Sequence, residues 1–366
     1  MGVWRAAWVA GVAALATAGC GPTGDAARTV RIYNWSDYID PAILKDFTKA
    51  TGIAASYDVF DSNEVQETKV LTGGTGYDVV TPSNNNVARF IAAHAIQPLD
   101  LAQLPNRKNL WPELTARMEP FDPGGRYSVP YMWGTIGLGY DSKALAQRLP
   151  GVKVDSWRIA FDPAVLAELQ DCGVYFLDAS EDMYSLVLAW LGKDPNSRDP
   201  ADYAAATAVL EKVRPYVRKF HSSEYINALA TGQACLAIGY SGDVLQARDR
   251  AAEAGKGVEI AYAIPKEGAQ VWFDVFAIPA DAPHPQAAYA FLNYMLRPEV
   301  IARASNAVRY ANANAAATPL VDPAVRNDPN IYPTPEVFAR LFVLKGKDQA
   351  LLREVNRQWT RVQTGR

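Results

Sequence analysis

Thr29-Val-Arg-Ile-Tyr-Asn-Trp35, followed by Asp40-Pro41-Ala-Ile-Leu-Lys-Asp-Phe47 and then Gly52, is the stretch that decides the fold. Its first seven residues alternate as a half-buried strand does. Asp40 offers a side-chain cap, Pro41 presets the first helical position, and Ile43, Leu44 and Phe47 share one helical face. Gly52 closes the helix. Ile53 to Phe60 reads as a second strand, Ser62 to Leu71 as a helix, and Tyr77 to Thr81 as a short strand stopped by Pro82. Strands alternating with helices build a mainly parallel sheet covered by helices, an α/β architecture.

Working outward, Tyr127 to Tyr140 reads as one long strand interrupted by Gly134, Gly137 and Gly139. Glycines in a long strand suit a crossing between two lobes, where backbones approach closely or bend. A second α/β set follows, with strands at Gly173–Leu177 and Cys235–Tyr240 and helices near 181–191 and 199–213. Ile260–Ile264 and Val271–Ile278 look like a return crossing. Pro285–Arg297 is a helix turning Ala288, Phe291, Leu292 and Met295 inward, and the tail ends in a polar amphipathic helix. A chain of 366 residues exceeds one comfortable core. The expectation is two lobes, 29–133 plus 272–306 and 134–271 plus 307–366, joined by hinge strands.

Residues 1–20 carry one charge, Arg5, then a short apolar run ending at Cys20. That run is too short to span a membrane and reads as an export signal. Thr17-Ala-Gly-Cys20 resembles a bacterial lipoprotein cleavage box, although Thr17 stands where Leu is usual. Cys20 is therefore the expected lipidation site, and a plain signal peptide is the alternative. Residues 21–28 form a polar tether. Cys172 and Cys235 remain, an even number in an oxidising compartment. The reading is a disulfide between them, with a buried free pair as the alternative.

The net charge of −3, from 36 basic and 39 acidic residues, leaves no basic footprint for nucleic acid. His94, His221 and His284 are scattered without metal-ligand spacing, and His221 reads as a cap. No G-x-S-x-G elbow accompanies His221-Ser-Ser223, and Gly73-Gly-Thr-Gly76 lacks the lysine of a phosphate loop. The sequence calls for no metal, no cofactor and no catalytic residue.

What it repeats is an aromatic residue beside an acid. Trp35-Ser36-Asp37-Tyr38 follows the first strand, Tyr240-Ser-Gly-Asp243 follows a strand of the second set, and Trp272-Phe-Asp274 lies on the return crossing. Ligands of open α/β sheets bind beyond the carboxyl ends of strands, where the first two clusters fall. Rings and carboxylates together suit an apolar cation.

Tyr33–Ile39, Tyr57–Val65, Val129–Thr135, Leu191–Ser197, His221–Asn227, Phe273–Ala280 and Tyr310–Leu320 resemble the periplasmic polyamine-binding proteins of ABC transporters, the putrescine receptors above all. The resemblance implies a two-lobed, cluster-type (type II) periplasmic binding fold, a monomer that closes on putrescine, and an ABC permease as partner. It further implies that Trp35, Tyr240 and Trp272 wall the methylene chain, with Tyr38 and Tyr310 completing the aromatic box. Asp274 would hold one ammonium, with Ser36 and Asp37 nearby, and Asp243 and Asp182 the other. Ser83 would be a polar contact and Lys345 a basic residue closing the far end. The chain departs from the pattern at Tyr240 (usually Trp), Trp272 (usually Phe), Asp182 (usually Glu) and the run Asn84-Asn-Asn86. Those departures leave a spermidine-preferring receptor open. A polyamine-sensing subunit is a further alternative, and an enzyme acting on polyamines another.

Overall fold

The computed structural model describes residues 29–365. The expected signal segment, the tether and Cys20 lie outside the described residues.

In chain order, the first half runs β1 (Thr29–Trp35), α1 (Pro41–Thr51), β2 (Ala54–Phe60), α2 (Asn63–Thr72), β3 (Val79–Val80), α3 (Asn84–Ala92) and β4 (Ser128–Asp141). Then come β5 (Val174–Phe176), α4 (Ser180–Trp190), α5 (Pro200–Val213), β6 (Lys219–Phe220), β7 (Leu236–Tyr240), α6 (Ser241–Ala254), β8 (Ile260–Ala263) and β9 (Ala269–Ala277). The remainder holds α7 (Pro285–Met295), α8 (Pro298–Val308), β10 (Ala311–Asn312), β11 (Leu341–Phe342) and α9 (Gln349–Thr364).

The deciding stretch folds as its chemistry dictates. Val30 and Ile32 are fully buried. Asp40 caps α1 by accepting from the Ala42 amide, Pro41 opens the helix, and Gly52 ends it with φ 72°. The expected helix at Pro285–Arg297 stops at Met295, because Pro298 cannot continue a hydrogen-bonded turn and instead opens α8.

Strand order is β2-β1-β3-β9-β4-β7-β5-β6. β1 pairs in parallel with β2 and β3, and β5 in parallel with β6 and β7. The two parallel sets meet through β4. Ser128 to Thr135 pair antiparallel with β9, whereas Ile136 to Tyr140 pair antiparallel with β7. β8 lies along the far half of β4, and β10 beside Met132 and Trp133 on the near half. One strand thus belongs to both sheets, the arrangement expected of a crossing. β8, by contrast, stays on the second sheet, so β9 alone makes the expected return.

Cys172 and Cys235 are disulfide-bonded, with Cα atoms 5.5 Å apart and 63 residues of separation. The bond ties the segment before β5 to the entry of β7. Packed on this sheet, α4 is buried from Ser180 to Ala189, which carries Glu181 and Asp182 inside with it. Among the described residues no helix is long and apolar enough to cross a membrane.

Candidate functional site

Chain direction sets the site. The carboxyl ends of β1, β3, β5, β6 and β7 converge between the two sheets, and a cavity opens there. Its lining includes the amino ends of three helices: Ser83 at the cap of α3, Asp182 in the first turn of α4, and Asp243 in the first turn of α6. Helix amino ends carry partial positive charge and by themselves favour anions. Acids in the first turns of α4 and α6 reverse that preference.

Each carboxylate is built in with neutral donors. Asp274, on β9, accepts from Ser83 Oγ at 2.6 Å. Asp243 accepts from Tyr225 Oη and Tyr310 Oη, both at 2.7 Å. Asp182 accepts from Gln270 Nε2 at 2.8 Å and Tyr240 Oη at 3.1 Å. All three are at most 8% exposed. Burial pushes Asp274 up to about 7, against the pull of the Ser83 hydrogen bond and with the push of the Asp182 and Asp243 charges. It raises Asp243 to about 7 against its two tyrosine donors, and Asp182 to about 6 against Gln270 and Tyr240.

The nearby cations are spent elsewhere. Lys347 and Arg89 pair with Glu181 at 3.2 and 3.1 Å, holding that carboxyl low although burial opposes them. Arg250 pairs with Asp37 at 2.7 Å. Adjacent acids on α4 therefore differ in kind: Glu181 is neutralised by the protein, and Asp182 is left to the cavity.

Aromatic rings form the walls. Trp272 lies 5.2 Å from Tyr310 and 6.0 Å, edge-on, from Tyr240. Tyr38 stands edge-on to Tyr310 at 5.2 Å, and Trp35 packs on Phe60 at 4.4 Å. The backbone makes room for this box at Gly134 on β4. A Cβ there would sit 2.7 Å from Trp272 Cζ2 and 3.0 Å from Tyr310 Cδ1. Tyr38 Oη points toward Asp274 but, among the described residues, reaches no ordinary hydrogen bond, and the buried Trp35 and Trp272 indole N–H groups find no partner among them either.

Of the twelve ligand residues expected from sequence, ten line the cavity: Trp35, Ser36, Tyr38, Ser83 and Asp182 with Tyr240, Asp243, Trp272, Asp274 and Tyr310. Two do not. Asp37 turns outward to Arg250, and Lys345 is exposed, its amide donating to Asn196 Oδ1 at 2.8 Å. Lys347, two residues on, has the inward side chain. The cavity also takes Phe60 at the end of β2, Asp61 just after it and Asn63 at the start of α2, Ser222 and Ser223 after β6, and Gln270 on β9. Gln270 was discoverable: positions 270, 272 and 274 share one face of a strand. So were Ser222 and Ser223, which follow a strand end. His221 Nδ1 accepts the Ser223 and Glu224 amides at 3.1 Å and shapes that turn as a cap. Among the described residues no cluster of His, Cys, Asp and Glu could hold a metal ion.

Two sheets sharing a strand, around a cavity of unpaired acids and aromatic rings, define a solute-binding protein of the two-lobed α/β class. Residues 42–334 match the family model for bacterial extracellular solute-binding proteins, and the chain belongs to that family. It is 50% identical to the putrescine-binding periplasmic protein PotF of Escherichia coli over 365 residues, 99% of this chain and 98% of that one. To the putrescine-binding periplasmic protein SpuD of Pseudomonas aeruginosa it is 47% identical over 93% of both chains. Among solved structures, the spermidine/putrescine ABC transporter substrate-binding protein PotD of Streptococcus pneumoniae superposes with a TM-score of 0.74. That match has 28% identity and covers 92% of this chain and 99% of the other.

Proposed function

We propose that this chain captures putrescine between its two lobes and delivers it to the permease of an ABC transporter. The observation that carries the reading is the set of three buried carboxylates, Asp182, Asp243 and Asp274, which share one aromatic-walled cavity and, among the described residues, have only neutral hydrogen-bond donors. A linear diamine supplies what they lack: an ammonium at each end and a methylene chain that rings can cover. In this reading Asp274 takes one ammonium, and Asp243 with Asp182 takes the other. Trp35, Tyr38, Tyr240, Trp272 and Tyr310 enclose the methylenes, while Ser83 holds Asp274 and Ser36 donates to Asp61 at the rim. The putrescine-binding periplasmic relatives support the ligand and the location, and the spermidine/putrescine ABC transporter structure supports the transporter.

The proposal includes a monomer exported by residues 1–20, anchored through Cys20 if that residue is lipidated. Its lobes are 29–133 with 272–306 and 134–271 with 307–366. Native mass spectrometry of protein purified from cells is expected to find one putrescine per chain, and calorimetry on stripped protein to find one site. A stripped protein that binds no polyamine would sink the reading.

A further inference from the structure

Asp182 is gripped from two strands at once. Tyr240 Oη, at the end of β7, donates to Oδ2 at 3.1 Å, and Gln270 Nε2, on β9, donates to Oδ1 at 2.8 Å. Gln270 is itself fixed, 5% exposed and accepting from Ser185 Oγ at 3.2 Å one turn along α4. Ser185 also bonds the Asp182 carbonyl at 2.7 Å. A carboxylate has about four acceptor positions, so two donors orient it and leave lone pairs for the cavity that it lines.

We propose that Tyr240 and Gln270 are positioning residues for Asp182, holding its carboxylate anionic and in one orientation so that it receives a cationic end of the ligand. The inference rests on reading the cavity as a polyamine site. Buried and ungripped, the group would protonate or turn away, whereas hydrogen bonds to the charged form favour that form. Of the charged groups around Asp182 among the described residues, Lys347 also favours its anion, but less than either hydrogen bond does and without bonding it. Glu181 on α4 repels it but is itself paired with Lys347, from the segment before α9, and with Arg89 on α3. Asp274 on β9 adds negative charge, as do Glu64 on α2 and Asp243 on α6 around Tyr240. Tyr240 also has two separable parts, a ring set edge-on to Trp272 and a hydroxyl on Asp182. Tyr240→Phe keeps the first and deletes the second.

Two readouts test it. In ligand-free protein, the NMR shift of the labelled Asp182 carboxyl carbon follows its titration. Tyr240→Phe and Gln270→Leu are each expected to move the midpoint up by about one pH unit or more. Putrescine affinity of Tyr240→Phe is then expected to fall about fivefold or more from wild type near pH 6, and less than about threefold near pH 8.5. In an Asp182→Asn background the same substitution should change affinity by less than about twofold. An unmoved midpoint, a loss equal at both pH values, or a loss that persists without Asp182 overturns the proposal. Wild-type protein that ignores putrescine, while Tyr240→Phe still shifts Asp182, would sink the functional reading and with it the ligand's part of this proposal, leaving only the grip on Asp182.

Discussion

Asp37 and Arg250, 213 residues apart in the chain, meet at 2.7 Å and tie the loop after β1 to α6. Asp37 reaches this position in a left-handed conformation, φ 52°, that few non-glycine residues adopt. Arg89 and Glu181 make a second tie, from α3 to α4, at 3.1 Å. Both pairs join an element that follows a strand of the first sheet to one that follows a strand of the second, so each ties the two sides of the cavity together.

The outer pair is half exposed, with side chains 43% and 35% accessible, and such pairs contribute only about 0–1 kcal/mol. Asp37→Asn is therefore expected to weaken putrescine binding by no more than about fivefold, with the effect fading as salt rises. Calorimetry at low and high salt checks this. A hundredfold loss would return Asp37 to the site.

Asp274 is the opposite case. Buried and held by Ser83, it has no paired cation among the described residues, so removing its charge leaves an ammonium without a partner. Breaking a buried charge pair costs about 3–5 kcal/mol, so Asp274→Asn should lose at least about a hundredfold in putrescine affinity while keeping its fold. A change under about threefold by calorimetry would take Asp274 out of the site.

Three raised acids make binding and stability respond to pH in opposite senses. Asp182, Asp243 and Asp274 titrate near 6 to 7 in the folded chain, above the ordinary 3.8. Between those values the ligand-free fold holds protons that the unfolded chain has lost. The stability contributed by these groups is thus full below about pH 4 and is lost as pH rises toward about 7. A bound dication favours the anions instead. Uptake of putrescine near pH 6 is expected to expel protons, and affinity to fall on acidification from about pH 8 to about pH 5. Calorimetry in buffers of different ionisation enthalpy measures the protons, and uptake without release contradicts the assignment.

Ligand length tests the polar end of the cavity. Asn63, Asn85, Ser222 and Ser223 offer neutral acceptors beyond the three buried acids, and the further acid of the lining, Asp61, is exposed to solvent. Spermidine brings a third ammonium that needs a buried charge. Putrescine is expected to bind at least about tenfold tighter than spermidine, a step of about 1.4 kcal/mol. Equal or reversed affinities in paired titrations would assign the length of the site to the asparagines and serines.

The legible part of the molecule was the part governed by local rules. Caps at Asp40 and Gly52, the alternation in β1 and the glycines of β4 all act within a few residues, and the elements lie where those rules place them. Aromatic–acid pairs at strand ends could likewise be placed, because parallel strands carry their carboxyl ends to one edge. Lys345 against Lys347 shows where this stops. The segment between β11 and α9 has no regular structure, so no period says which of two lysines turns inward. Glu181 and Asp182 pose the same difficulty, since only the positions of Lys347 and Arg89 distinguish the neutralised acid from the open one. Asp61 and Asn63 lie where β2 turns into α2, and that path depends on the whole first sheet.

Gly134 gives the box a vulnerability of its own. Trp272 and Tyr310 rest directly on its backbone, with Ser241 Oγ 2.9 Å from where a Cβ would stand. One added methyl group would have to push an indole or a phenol forward, into the space that the methylenes need. Alanine at that position would behave as a tethered inhibitor, a plug that no wash or competitor could remove. The volume of the receptor's chamber is therefore guarded by a residue with no side chain, and every carboxylate could remain intact while the ligand is shut out.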